Sequence, residues 1–221
     1  MRFRDRADAG QRLAERLAGY RDRRPVVLAL PRGGVIVAAQ VAAALEAPLD
    51  LILVRKIGVP AQPELAMGAV VDGAKPVIVR NDEVIRVSHV SAAEFDAVCA
   101  RELAEIERRR RRYLGDRKPI NVAGRAAIVI DDGIATGATT RAALAATRRR
   151  KPAALVLAVP IGPTDTLGEL RREVDEVVCL EELEDFDAIG MFYDDFRQVT
   201  DSAVKDVLKR FAAPSGHASH P

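Results

Sequence analysis

Tryptophan is absent from this 221-residue chain, and aromatic residues make up only 4% of it. With hydrophobic residues at 48%, the core must come from Val, Leu, Ile and Ala, the composition of buried parallel strands and the helices that cover them. Cysteine occurs twice, as Cys99 and Cys179, outside any CxxC spacing. That excludes a zinc ribbon or a disulfide framework and predicts two buried, reduced thiols. No apolar run reaches the ~18 residues of a membrane-spanning helix, and the opening MRFRDRADAG lacks the apolar stretch of a secretory signal. An excess of one charge is missing too. The 34 basic and 32 acidic residues leave +2, too little for a dedicated nucleic-acid binder. His89, His217 and His220 make no metal-ligand pattern, and no Ser-His-Asp or Cys-His arrangement is readable. The expectation is a cytoplasmic, folded protein without a membrane partner.

Periodicity supplies the fold class. A short amphipathic helix is expected over 5–20, then a wholly apolar strand at Pro25–Leu30, a turn at PRGG, and an apolar helix. A second strand runs to Val54 and ends in Arg55 and Lys56. From Arg55 to Gly68 the pattern dissolves into RKIGVPAQPELAMG, which reads as a long mobile loop of a functional kind. Short strands are expected at 69–71 and 76–79. Ser91 and Glu94 make a capping box, opening a helix to about Tyr113. The βα pattern returns with a strand over 126–131, a helix to about Arg150, the strand ALVLAVP, a helix over 164–173 and the strand EVVCL. An acidic segment over 181–198 carries Phe186, Phe192, Tyr193 and Phe196, and Asp201 is expected to cap a last helix. The tail over 213–221 reads as disordered. The sum is an α/β fold, a mostly parallel central sheet with helices on both faces. Ligands in such sheets bind beyond the carboxyl ends of the strands, where PRGG, Arg55/Lys56 and Asp131/Asp132 are all expected to gather.

AAIVIDDGIATGATT, from Ala126 to Thr140, carries the most chemistry. Apolar residues deliver two adjacent carboxylates, Asp131 and Asp132, to a strand end. A Gly/Thr/Ala turn then opens a helix, and its backbone N–H groups and hydroxyls suit an anion. Two acids beside a phosphate cradle suit a sugar phosphate. No Gly-Lys-Ser/Thr follows, so this is not a Walker A loop.

IVIDDGIATGATT resembles the phosphoribosyl-diphosphate (PRPP) motif of the type I phosphoribosyltransferases, whose fold is Rossmann-like. The resemblance implies that Asp131 and Asp132 meet the ribose hydroxyls. Ala135, Thr136, Gly137, Ala138 and Thr139 would wrap the 5-phosphate, with Thr140 beside them. Pro31, Arg32, Gly33 and Gly34 are similar to the family's pyrophosphate loop, in which a non-prolyl cis peptide is common. Arg55 and Lys56 occupy positions where the family often places basic residues against the diphosphate, and 57–68 resembles the loop that closes over the site. Gly133 departs from the family, which has an apolar residue there. The implied domain spans 1–212, with variable segments over about 81–122 and 181–212. The implied reaction displaces pyrophosphate by a nitrogenous acceptor, with Mg²⁺ held mainly through PRPP and with Asp131 and Asp132 as the available protein ligands. Formation of a homo-oligomer is left open.

Ala135 says something negative about the acceptor. Family members that use 6-oxopurines usually carry an aspartate there, so hypoxanthine and guanine are disfavoured. Phe192 or Tyr193 is a candidate to stack on a base, against the plainer reading as core packing. The basic runs Arg108–Arg112 and Arg148–Lys151 read as solvated helix ends. The competing reading is a PRPP-binding regulator on the same fold that contacts nucleic acid through them.

Overall fold

A computed structural model describes residues 2–73, 76–184 and 188–211. Two sheets organise the chain. Five parallel strands, lying side by side in the order second, first, sixth, seventh and eighth of the chain, form the first; the third, fourth and fifth strands, antiparallel, form the second. In chain order the elements are α1 (Arg6–Arg16), β1 (Val26–Ala29), α2 (Gly33–Ala44), β2 (Leu49–Leu51), β3 (Val54–Val59), β4 (Gln62–Val71) and β5 (Val77–Arg80). Then come α3 (Asp82–Val87), α4 (Ala92–Leu114), β6 (Ala126–Ile130), α5 (Ala138–Arg149), β7 (Ala154–Pro163), α6 (Thr164–Leu170), β8 (Glu176–Leu183) and α7 (Asp201–Arg210).

Alternation along the central strands explains why helices cover both faces. In β1 and β6, Val27, Ala29, Ile128 and Ile130 pack with residues of α1, α2, α4 and α7. Their neighbours Val26, Leu28, Ala127 and Val129 pack against α5 and α6. Every residue of these two strands is buried, which is why they read as continuous apolar runs and not as alternating ones. Each fully buried Val, Leu or Ile contributes about 1.5–3 kcal/mol. The expected α/β architecture is the observed one, and the capping box of α4 forms: Glu94 N–H donates to Ser91 Oγ, and Ser91 N–H to Glu94 Oε2.

Three expectations need correction. The segment from Arg55 to Gly68 is not a loop. It is most of a β-hairpin, with Ile57 opposite Gly68 and the turn at Pro60 and Ala61. Period-2 alternation is hidden there by Pro60, Pro63, Gly58 and Gly68, while the partner strand satisfies the backbone. Arg55 and Lys56 consequently lie inside β3, not at the carboxyl end of a parallel strand. Finally, Thr200 caps α7 by accepting from Ala203 N–H, and Asp201 is the first helical residue.

The second sheet is wedged between α4 and α5, and buried ions lock it there. Arg110 of α4 donates to Asp72 at 2.5 Å and lies 3.6 Å from Asp50 of β2. Asp72 also accepts from Leu53 N–H, and Asp50 from Ile120 N–H. Both carboxylates are nearly inaccessible, and burial pushes the Asp72 carboxyl above its ordinary range. Among the described residues no helix is long and apolar enough to cross a membrane. The tail over 213–221, with His217 and His220, lies outside the described residues, as does Phe186.

Candidate active site

β6 ends at Ile130 and delivers Asp131 and Asp132 where the α2 turn arrives from β1. Leu30 N–H donates to Ile130 O at 2.9 Å, tying the two strand ends together. The peptide Pro31–Arg32 is cis. The glycines that follow are required by proximity. A Cβ on Gly33 would stand 1.8 Å from Asp132 Oδ2, and one on Gly34 would stand 2.9 Å from Ile130 O and Asp131 Cα. PRGG and the acid pair are therefore a single packed unit, which sequence order suggested but did not prove.

The two carboxylates are held differently. Asp131 Oδ1 accepts the N–H of Asp132 at 2.9 Å. Desolvation, followed by the neighbouring charge of Asp132, pushes the Asp131 carboxyl well above the usual carboxylate range. Asp132 Oδ2 receives Arg6 Nε at 2.6 Å, with the two side chains only 10% and 16% exposed. Arg6 also donates to Arg197 O and lies 3.8 Å over the Phe196 ring. Tyr193 Oη donates to Asp132 O at 2.7 Å. Residues 3–6 and the 193–197 segment thus meet behind the acids, with Phe3, Tyr193 and Phe196 as the packing between them. Tyr193 is 2% exposed, so it supports Asp132 and is not a platform for a base. Sequence reasoning missed Arg6, because nothing in MRFRDR marks one arginine over the others.

Gly133 also finds its reason. Its φ is 155°, and a Cβ there would meet Ile189 Cγ2 at 2.6 Å and Ile161 Cγ2 at 3.0 Å. The Ile189 side chain, from the segment before Tyr193, fills the space that an apolar side chain at position 133 would take.

The turn after the acids ends in Gly137, the α5 N-cap, at φ 71°, a left-handed conformation suited to glycine. The Arg141 N–H bonds to Gly137 O at 2.8 Å, so the amides of Ala138, Thr139 and Thr140 belong to the helix's first turn, where no intrahelical acceptor exists. Ala135, Thr136, Ala138 and Thr139 are exposed, whereas Thr140 is buried. Thr166 Oγ1 donates to Ala135 O at 3.3 Å and steadies the turn.

A cleft of about 500 Å³ separates this turn from the second sheet. Thr136, Ala138 and Thr139 line one side, and Lys56, Gly68 and Ala69 the other. Lys56 meets the cleft and also pairs with exposed Glu64 at 3.0 Å. Arg55, its neighbour on the strand, does not line the cleft; it is tied to buried Glu102 of α4 at 2.7 Å. Consecutive strand residues face opposite ways, so of the basic pair only Lys56 shares this space with the turn before α5.

The arginine runs are not solvated helix ends throughout. Arg110 is turned inward to Asp72, Arg108 and Arg109 pair with Glu105, and Arg112 pairs with Asp201. In the second run, Arg150 donates to Ile120 O and Arg148 pairs with Asp175. No cluster of three or more His, Cys, Asp or Glu suited to a metal ion occurs among the described residues.

Comparison with known proteins agrees with this geometry. The family of the phosphoribosyl transferase domain matches residues 4–197, and the chain belongs to that family. Proteins from two Mycobacterium tuberculosis strains, CDC 1551 and H37Rv, are each 49% identical over 208 residues, and their names place them provisionally among the phosphoribosyl transferases. The alignment covers 94% of this chain and 46% of each relative, so the chain spans less than half of their length. The crystal structure of TT1426 from Thermus thermophilus superposes with a TM-score of 0.84 at 40% identity, covering 96% of this chain and all of that one.

Proposed function

We propose that this domain binds PRPP with Mg²⁺ and transfers its phosphoribosyl group to a nitrogenous acceptor. The observation that carries the reading is the packing of PRGG onto the acid pair, with a helix-opening anion turn following in the same strand-to-helix connection. Those are three subsites for one ligand: hydroxyls at Asp131 and Asp132, the 5-phosphate at Ala135–Thr140, and the diphosphate at Pro31–Gly34.

Each subsite has a physical basis. First-turn amides of α5 and the hydroxyls of Thr136 and Thr139 donate to the 5-phosphate, and Lys56 faces them across the cleft. Thr140 contributes through its backbone N–H, since its side chain is buried. Gly33 and Gly34 bring backbone close to the acids, where a diphosphate on the anomeric carbon would lie. Asp131 and Asp132 accept from the ribose hydroxyls, and Arg6 and Tyr193 fix the position of Asp132. Arg55 acts at a distance, by holding the hairpin to α4 through Glu102.

The donor set suits Mg²⁺ bound in the way that ion prefers, through substrate oxygens and water with few protein ligands. Asp131 and Asp132 are the carboxylates within reach, and one is already engaged by Arg6. When bound, the ion neutralises charge on the departing diphosphate. In the transfer, a C–N bond forms at the anomeric carbon as the C–O bond breaks, and the electron pair leaves with pyrophosphate. The carboxylates face the positive charge that develops on the ring.

Ala135 offers a methyl group where proton transfer to a 6-oxopurine would need a carboxylate, so the acceptor class is another nitrogenous base. The cytoplasm is the compartment consistent with this reading. Release of pyrophosphate from PRPP, measured across a panel of bases, tests it. Turnover with a base other than hypoxanthine or guanine supports the proposal, and the absence of turnover with every base removes it.

A further inference from the structure

A groove opens where the end of α4 meets α7, and no residue of PRGG, the acid pair or the turn before α5 lines it. Its volume is about 310 Å³. Leu114 and Leu208 form the floor, and Arg111, Arg112, Arg117, Lys205 and Lys209 stand around it. We propose that this groove is a docking surface for an acidic peptide segment of a partner protein, which sets an aliphatic side chain on the floor and carboxylates against the rim.

Charge is the first argument. Arg112 meets Asp201 at 2.8 Å, and Lys209 meets Asp206 at 3.0 Å. Arg117 donates to a neutral group, the Leu49 carbonyl. Arg111 and Lys205 have no carboxylate partner among the described residues. Two carboxylates among five cations leave the rim positive, on a chain whose overall charge is only +2. A helix C-terminus favours cations, which accounts for Arg111 and Arg112 on α4 and for Lys209 on α7. It does not account for Lys205, in the middle of α7, or for Arg117, beyond the end of α4.

The floor decides the class of partner. Leu208 is buried and Leu114 half-buried, so apolar surface lies beneath the charges, and the stems of the lysines and arginines extend it. Single-stranded nucleic acid is held by cations together with aromatic rings on which bases stack. Tyr113 is the aromatic residue of this groove, and its hydroxyl is tied to Asp201 at 2.6 Å. The size suits a side-chain anchor. Sites that enclose a whole drug-sized ligand run to roughly 300–1,000 Å³, and this groove stands at the foot of that range. Arg112 and Lys209 are 48% and 76% exposed, so a partner meets them from solvent.

Fluorescence anisotropy on the full chain at low salt tests the proposal, with a labelled peptide of glutamates around a pair of leucines as the probe. The peptide should bind the wild type, and binding should weaken as salt rises. Arg111→Glu with Lys205→Glu sets like charges against the peptide and should weaken binding by roughly tenfold or more. Arg111→Ala with Lys205→Ala should lose less. Serine in place of the peptide's leucines should weaken binding to the unaltered protein, a result that charge attraction alone would not give and that carries no risk to folding. PRPP affinity, measured by calorimetry, should be unchanged in both double variants. No binding by the wild type, binding indifferent to Arg111 and Lys205, or equal affinity for the leucine and serine peptides overturns the proposal. Oligouridylate or phosphatidylserine vesicles that bind more tightly than the peptide, and lose that binding in the glutamate variant, overturn it in favour of nucleic acid or membrane. A parallel loss of PRPP affinity overturns it as well, by making the groove part of the substrate site.

Discussion

At Gly33 a single hydrogen atom separates a working contact from a collision. Alanine there would place carbon 1.8 Å from an Asp132 oxygen and 2.8 Å from Arg6 Nε. Gly33→Ala should cost about 1–3 kcal/mol in urea denaturation, as overpacking does, and should abolish PRPP binding with it. Arg6→Ala acts by removal, leaving a nearly buried carboxylate without its cation. The loss should be about 3 kcal/mol, the low end for a broken buried pair, because both side chains keep some exposure. Asp131 behaves in the opposite sense. Its folded carboxyl binds a proton more tightly than the unfolded one, so the favourable linkage is complete below the unfolded value of about 3.8 and is lost as pH rises through the raised folded value. Asp131→Asn, which is permanently neutral, should therefore stabilise the protein at pH 7 while weakening PRPP binding. Its stability advantage should disappear by pH 3, as denaturation midpoints across pH would show. The acid pair and PRGG were legible from sequence because their residue types are rare in that order. Arg6 was not, since its partner is 126 positions away and its neighbours Arg2 and Arg4 look identical in sequence.

Elements were legible where one period dominated. The continuous apolar runs of β1, β6 and β7 and the capping box of α4 announced themselves. The β3-β4 hairpin did not, because prolines and glycines at 58, 60, 63 and 68 mask alternation and a partner strand compensates for them. α3, only six residues long, left no periodic trace. The arginine run on α4 illustrates a harder limit. Arg108–Arg112 reads as one basic stretch, yet a helix turns successive side chains by about 100°, which sends Arg110 to the buried acids and its neighbours to Glu105 and Asp201. Arg110→Ala would strand Asp50 and Asp72 without their cation and should destabilise the fold by about 3–5 kcal/mol. Arg111→Ala, on an exposed position of the same run, should change stability by less than about 0.5 kcal/mol. Equal effects of the two variants in chemical denaturation would contradict the division of the run.

Taken as a whole, the molecule closes on itself around the acid pair. Phe3 bridges to Tyr193, Arg6 reaches Asp132, and Ile189 fills the space that Gly133 leaves, so residues 3–6 and the 189–197 segment form the back wall of the candidate site. Such a wall is a long-range property and was invisible in local pattern; of the two candidates for stacking on a base, Tyr193 is buried and follows the plainer core-packing reading. The central claim is that Asp131 and Asp132, with the loops packed on them, hold PRPP. Calorimetry of PRPP with Mg²⁺ against the wild type and the Asp131→Asn, Asp132→Asn double variant tests it most directly. Saturable binding by the wild type and none by the variant is the predicted result. Affinity that is the same in both proteins would contradict it.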